Sequence, residues 1–159
     1  MKILDQSRGK YIKRIDRGVK KCIFCDPKVI KEQECKSLAG KHWRILVNKF
    51  PYLDGNLMII PERHIEGLEE MSEAEKKEFF DILFETKKRL GKIFNTKDFN
   101  VSLNLGKAAG TSIDHLHWQI IPRDPKAFLN AANIFADLYV IKISPKELKR
   151  RIEKAKRNL

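Results

Sequence analysis

The sequence predicts an α+β fold, an antiparallel sheet carrying a long central helix and followed by a basic C-terminal helix. Three observations predict it. Short β-branched segments flank turn-forming residues, a stretch of helical periodicity runs for about six turns, and a capped amphipathic stretch closes the sequence.

Residues 43–49 (WRILVNK) and 56–61 (NLMIIP) read as strands, and Pro51 with Asp54-Gly55 supplies turn chemistry for a hairpin between them. Ser72 followed by Glu75 is a capping box, after which Phe79, Leu83, Thr86, Leu90 and Phe94 recur at helical spacing. Such a helix packs one face on the sheet. Residues 98–105 (DFNVSLNL) alternate as a strand, 115–121 (HLHWQII) reads as another ended by Pro122, and 138–143 (LYVIKI) as a further one. Ser144, Pro145 and Glu147 then provide an N-cap, an N1 proline and an N3 acid. Leu148, Ile152, Ala155 and Leu159 form a narrow apolar stripe on the basic helix over 144–159.

The 159 residues suit a single domain, 1–159, because no repeat, low-complexity tract or Gly/Ser linker interrupts them. Its core is expected at about 20–143, between a basic N-terminal segment (1–21) and the C-terminal helix. With 42% hydrophobic and 34% charged residues the composition is that of a soluble globular protein, neither disordered nor membranous. No apolar run approaches the roughly 18 residues that span a bilayer. The opening MKILDQSRGK lacks an apolar signal region, so a cytoplasmic location without membrane partners is expected.

The net charge of +12 raises nucleic acid as a partner. Residues 1–21 carry eight Lys/Arg against two acids and 144–159 carry seven against two, which leaves 22–143 at a net +1. The basicity therefore belongs to the ends. A solvated surface accounts for it; nucleic-acid binding through the termini is the less favoured reading.

The chemistry concentrates in Gly110-Thr111-Ser112-Ile113-Asp114-His115-Leu116-His117-Trp118-Gln119. On a strand, alternation puts His115, His117 and Gln119 on one face, directly after a glycine loop able to present backbone N–H groups to phosphate oxygens. Thr111 and Ser112 add hydroxyls, and Asn104-Leu105-Gly106 brings a polar group from the neighbouring strand end. An imidazole whose other nitrogen is hydrogen-bonded can attack phosphorus and hold the transferred group covalently, provided donors surround the non-bridging oxygens. His117, central in the row, is the candidate nucleophile; His115 and Gln119 flank it in the candidate catalytic set.

Cys22 and Cys25 have the C-x2-C spacing that lets two thiolates reach one tetrahedral metal, with His64 and His115 as candidates for the remaining ligands. The alternative is a pair of small buried thiols. Cys35 has no partner, and His42 beside Trp43 reads as a surface or strand-end residue.

The pattern N-x-G…A-G-T-S-x-x-H-x-H-x-Q resembles the histidine-triad (HIT) superfamily, whose motif is H-x-H-x-H in most branches. The resemblance runs back through G-N-L-M-I-I-P-E-R-H-I (55–65) and V-N-K-F-P-Y (47–52) to C-I-F-C (22–25), covering roughly 20–123. It is most similar to the diadenosine polyphosphate phosphorylase (ATP adenylyltransferase) branch. It implies a HIT-like antiparallel sheet, usually in a homodimer, and a nucleotide or dinucleoside polyphosphate substrate accompanied by a divalent cation such as Mg2+. By position, His117 is the nucleophile and Asn48, with Lys49 beside it, meets the ribose. The resemblance puts Asn104, Gly110, Ser112 and Gln119 where the family holds the α-phosphate, and Gly106 and Thr111 complete the candidate nucleotide-binding set. The resemblance also implies structural zinc on Cys22, Cys25, His64 and His115.

Gln119 departs from the family pattern, as in galactose-1-phosphate uridylyltransferase. A neutral amide can hold a phosphate but cannot shuttle a proton, which favours acidic leaving groups and an anionic second nucleophile. The expected activity is therefore nucleotidyl transfer through nucleotidyl-His117, as phosphorolysis of dinucleoside polyphosphates. The alternatives are HIT-type hydrolysis of dinucleoside polyphosphates or phosphoramidates, transfer from a nucleotide sugar, and nucleotide or RNA binding without catalysis.

Overall fold

The computed structural model describes residues 22–124 and 143–155. Strands β1 (Trp43–Val47), β2 (Leu57–Pro61), β3 (Phe99–Leu103) and β4 (Trp118–Pro122) form a sheet in the order β1-β2-β4-β3, with each neighbouring pair antiparallel. Helices α1 (Pro27–Gln33), α2 (Glu73–Phe94) and α3 (Pro145–Ala155) pack around it. The expected α+β architecture is present. The strand expected over 138–143 lies outside the described residues except for Ile143, as do 1–21 and Leu159.

The hairpin expected from Pro51 and Asp54-Gly55 forms with Trp43 opposite Pro61 and Val47 opposite Leu57. β1 stops at Val47 because the Asn48 side chain turns the chain, its Oδ1 accepting the Phe50 N–H at 2.9 Å. Gly55 is required at this turn. Its φ is +84°, and atoms of Pro122 and Phe94 lie 2.5 and 2.6 Å from where a Cβ would sit.

Strand alternation gives the sheet two unlike faces. Trp43, Ile45, Val47, Leu57, Ile59 and Ile120 form one core with Phe79 and Leu90 of α2 and Leu148 and Ile152 of α3. Leu46, Met58 and Ile60 face the other way and pack with Phe24, Ile30 and Ile113. The second face carries Gln119, which pairs with Met58 across the β2–β4 ladder.

Trp43 is fully buried between Phe79 and Trp118, at ring-centroid distances of 5.1 and 5.6 Å, and its indole N–H donates to Glu75 O at 2.9 Å. Trp43→Ala is expected to lower stability by about 3–5 kcal/mol, read from the urea midpoint.

The capping box opens α2 as the sequence indicated: Glu75 N–H donates to Ser72 Oγ at 3.3 Å and Ser72 N–H to Glu75 Oε2 at 2.7 Å. The same carboxylate accepts both Nε and Nη2 of Arg63, at 2.7 and 2.9 Å. That pairing, ahead of the Ser72 bonds, holds the Glu75 carboxyl down at about 2. α1 was not foreseen, although its signal is present: Asp26 caps it through Lys28 N–H at 2.8 Å and Pro27 sits at its start. α3 begins where Ser144 and Pro145 indicated, with Glu147 N–H donating to Ser144 Oγ at 3.2 Å. Its Lys149 Nζ closes the end of α1 by donating to Lys31 O and Glu32 O, each at 3.1 Å.

One boundary differs in a way that shapes the site. The strand expected from His115 begins only at Trp118. Before that point the chain leaves the ladder: His115 N–H donates within its own turn to Ile113 O at 2.8 Å, and Leu116 N–H bonds with the loop after β2, donating to Ile65 O at 2.6 Å. The two histidines are therefore free of strand alternation and serve different places.

Candidate active site and metal cluster

His115 is 1% exposed and belongs to a cluster with Cys22, Cys25 and His64, one ligand atom from each lying within 4.8 Å of the others. The 3-10 turn Ile23–Cys25 brings the two thiols together, and the loop after β2 delivers His64. His115 Nδ1 stands 3.4 Å from Cys22 Sγ and 3.6 Å from Cys25 Sγ; His64 Nδ1 stands 3.6 Å from Cys25 Sγ. A tetrahedral ion with bonds of roughly 2.3 Å to sulfur and 2.0–2.1 Å to nitrogen separates such atoms by roughly 3.6 Å. The donor set fits a metal of that type.

The tautomer of His115 fits as well. Its Nε2 faces the Pro61 carbonyl at 3.1 Å, and because a carbonyl only accepts, the proton sits on Nε2 and the Nδ1 lone pair faces the cluster. Burial pushes the His115 imidazole down to about 4 and raises the Cys22 thiol to about 11. A bound cation opposes the latter shift by taking the thiolate.

His117 sits in a different place, 7% exposed in the wall of a pocket. Its Nδ1 lies 2.7 Å from the carbonyl of His115, so by the same argument Nδ1 carries the proton and the lone pair is on Nε2. Burial lowers its pKa, which favours the neutral ring, the form in which an imidazole is able to act as a nucleophile. His115 thus reaches His117 through its backbone and orients it; its own ring serves the cluster.

The pocket brings together most of the residues that the sequence singled out: Asn48, Lys49, Asn104, Gly110, Ser112, His117 and Gln119. Lys49 also lies 3.6 Å from Glu32. Gly110 holds φ +88°, a left-handed conformation suited to glycine, and ends the short turn Lys107–Ala109. Gly106 and Thr111 stand outside the lining. Thr111 Oγ1 instead donates to Asn104 O at 2.5 Å and its N–H to Gly106 O at 3.2 Å, which shapes the loop that bears Gly110 and Ser112.

The sequence reading missed the remaining walls: Phe24, Gln33, Phe50, Tyr52, Met58 and Ile113. Phe24 carried a signal, since it lies inside C-x2-C, and its ring touches both His115 and His117 edge-on at 5.8 and 5.5 Å. Asn56 was also missed. Fully buried, it holds Gln119 Oε1 with its Nδ2 at 2.8 Å. The combination of an apolar, aromatic wall with a polar set of amide, hydroxyl and imidazole groups suits a ligand with a flat base and phosphates.

The HIT domain family matches residues 32–126. Among curated proteins, the chain is 32% identical over 98 residues to the AP-4-A phosphorylase of Mycobacterium tuberculosis, an alignment covering 61% of this chain and 50% of that one. It is 33% identical over 111 residues to the adenosine 5'-monophosphoramidase HNT1 of Saccharomyces cerevisiae, covering 68% and 66%. The chain thus spans half to two thirds of the length of these relatives. Among solved structures, a Zn-bound histidine triad family protein from Mycobacterium smegmatis superposes with a TM-score of 0.67 at 17% identity, over 89% of this chain and 96% of that one. With the sheet, the glycine loop and the paired histidines all in the matched segment, the chain belongs to the HIT domain family.

Proposed function

We propose that the protein is a nucleotidyltransferase that works through a covalent nucleotidyl-His117 and phosphorolyses dinucleoside polyphosphates. The observation that carries this reading is the tautomer of His117, fixed by the His115 carbonyl so that Nε2 is the attacking atom, beside an amide at position 119. Nε2 attacks the α-phosphorus, a P–N bond forms, and the P–O bond to the nucleoside polyphosphate breaks. That leaving group departs as a stable anion and needs no proton, so the neutral amide of Gln119 suffices at this position. Inorganic phosphate then attacks the same phosphorus, the P–N bond breaks, and His117 is restored. Ser112, Asn104 and the Gly110 backbone are the groups offered to the non-bridging oxygens.

Support for the substrate class comes from the similarity to the mycobacterial phosphorylase and from the aromatic lining. Zinc is the metal that best suits two thiolates and two imidazoles, and we assign it a structural role on Cys22, Cys25, His64 and His115. Within this reading the protein acts as a homodimer, for which the exposed Phe80 and Phe84 on α2 and Val101 on β3 provide apolar surface.

The test is diadenosine tetraphosphate with and without phosphate. ADP plus ATP, formed only with phosphate, is the expected result. AMP plus ATP formed without phosphate would make the protein a hydrolase and overturn the inference drawn from Gln119.

A further inference from the structure

The residue at position 119 stands on two other side-chain amides, and their orientation is settled by backbone groups that have no choice of role. Tyr52 N–H donates to Asn56 Oδ1 at 3.2 Å, and Asn56 Nδ2 donates to Leu57 O at 3.1 Å. A backbone N–H only donates and a carbonyl only accepts, so the Asn56 amide has one allowed orientation. Asn48 is fixed likewise, its Oδ1 accepting Phe50 N–H at 2.9 Å. Its Nδ2 donates to Asn56 Oδ1 at 2.9 Å, which satisfies that oxygen twice. Both NH2 groups then converge on one atom, Gln119 Oε1, at 2.8 Å from Asn56 and 3.4 Å from Asn48.

We infer that Asn56 and Asn48 are positioning residues that lock Gln119 as a hydrogen-bond donor toward the pocket. With Oε1 held by two donors, Nε2 is the end that a ligand meets. The reverse orientation would set the Gln119 NH2 against two NH2 groups and leave one N–H of buried Asn56 without its acceptor, the other still meeting Leu57 O. The third position of the motif therefore always offers an N–H to the departing oxygen and never an acceptor that could draw a proton from water. The lock is built from the β1–β2 hairpin, in which Asn48 and Asn56 flank the turn, while Gln119 comes from the neighbouring strand. This explains the full burial of Asn56, which serves neither the core nor the cluster.

The inference rests on the nucleotidyl-His117 reading, and the experiment separates the two. Steady-state phosphorolysis of diadenosine tetraphosphate is measured for the unaltered protein, Asn56→Ser, Gln119→Met and the double variant, with nucleotidyl-His117 formation, AMP affinity and thermal midpoint recorded for each. Asn56→Ser is expected to lose roughly 10- to 100-fold in kcat with little change in KM, by analogy with the range seen when the outer partners of metal ligands are removed. In the Gln119→Met background the same substitution should cost nothing further, because what it positions is gone. Equal losses in both backgrounds, or an unchanged kcat in Asn56→Ser, would overturn the inference. Should the buried substitution prevent folding, Asn48→Ser at its partly exposed position runs the same cycle read in kcat at saturating substrate alone, since Asn48 also lines the pocket and its loss is expected to raise KM in both backgrounds. If the unaltered protein forms no nucleotidyl-His117, it is the reading of the activity that fails, and this inference falls with it.

Discussion

His117→Ala is expected to abolish nucleotidyl transfer, with kcat falling by at least ~10^4-fold, the scale on which removal of a covalent nucleophile acts. The fold should survive, since the ring stands in the pocket wall and its neighbours Phe24 and Gln119 are held by other elements. Steady-state turnover of diadenosine tetraphosphate checks the loss, and AMP titration checks the pocket. AMP binding should remain within a few-fold, because the aromatic wall and the Ser112 loop are untouched. Residual turnover near that of the unaltered protein would remove His117 from the chemistry and require another nucleophile or direct displacement by phosphate.

Removal of the zinc proposed for the Cys22–Cys25–His64–His115 cluster is expected to have the second large effect. Cys22→Ser with Cys25→Ser should take the zinc content per chain from one to none and lower the thermal midpoint. A ligand present at 1,000 times its Kd contributes about 4 kcal/mol, all of which is lost with it. Activity should fall too, by a route the geometry makes explicit. Phe24 lies between the two cysteines, packs its ring against His117 at 5.5 Å and forms part of the pocket wall. Without the ion the Ile23–Cys25 turn loses its anchor to His64 and His115, and the nucleotide site loses a wall. AMP affinity should weaken together with the midpoint. Unchanged zinc content and midpoint in the double variant would show that the cluster is not a metal site.

The sequence showed the α+β architecture, the β1–β2 hairpin, the capped α2 and the start of α3 because each rests on local signals: alternation, capping residues and turn chemistry. It grouped Asn48, Asn104, Gly110, Ser112, His117 and Gln119, which the fold brings to one pocket. What it did not show depends on long-range contact. His115 and His117 were placed on one strand face by alternation. The ladder reaches only to Trp118, and the bond from Leu116 to Ile65 turns the two rings toward different partners. Gly106 and Thr111, candidates for nucleotide binding by their place in the sequence, hydrogen-bond to each other and to Asn104, which shapes the loop beside the pocket, and those bonds are not readable from the sequence. Asn56 carried no signal of its own, since its meaning comes from Gln119, which reaches it only through the pairing of β2 with β4.

The measurement that bears most directly on the central claim is intact-mass and peptide analysis of the protein, quenched within seconds of mixing with diadenosine tetraphosphate in the absence of phosphate. One adenylyl group per active chain is expected, attached to the peptide containing His117, labile to acid as a phosphoramidate is, and discharged as ADP when phosphate is added. An unmodified protein that nonetheless turns over substrate, or an adenylyl group found on any residue other than His117, would contradict that claim.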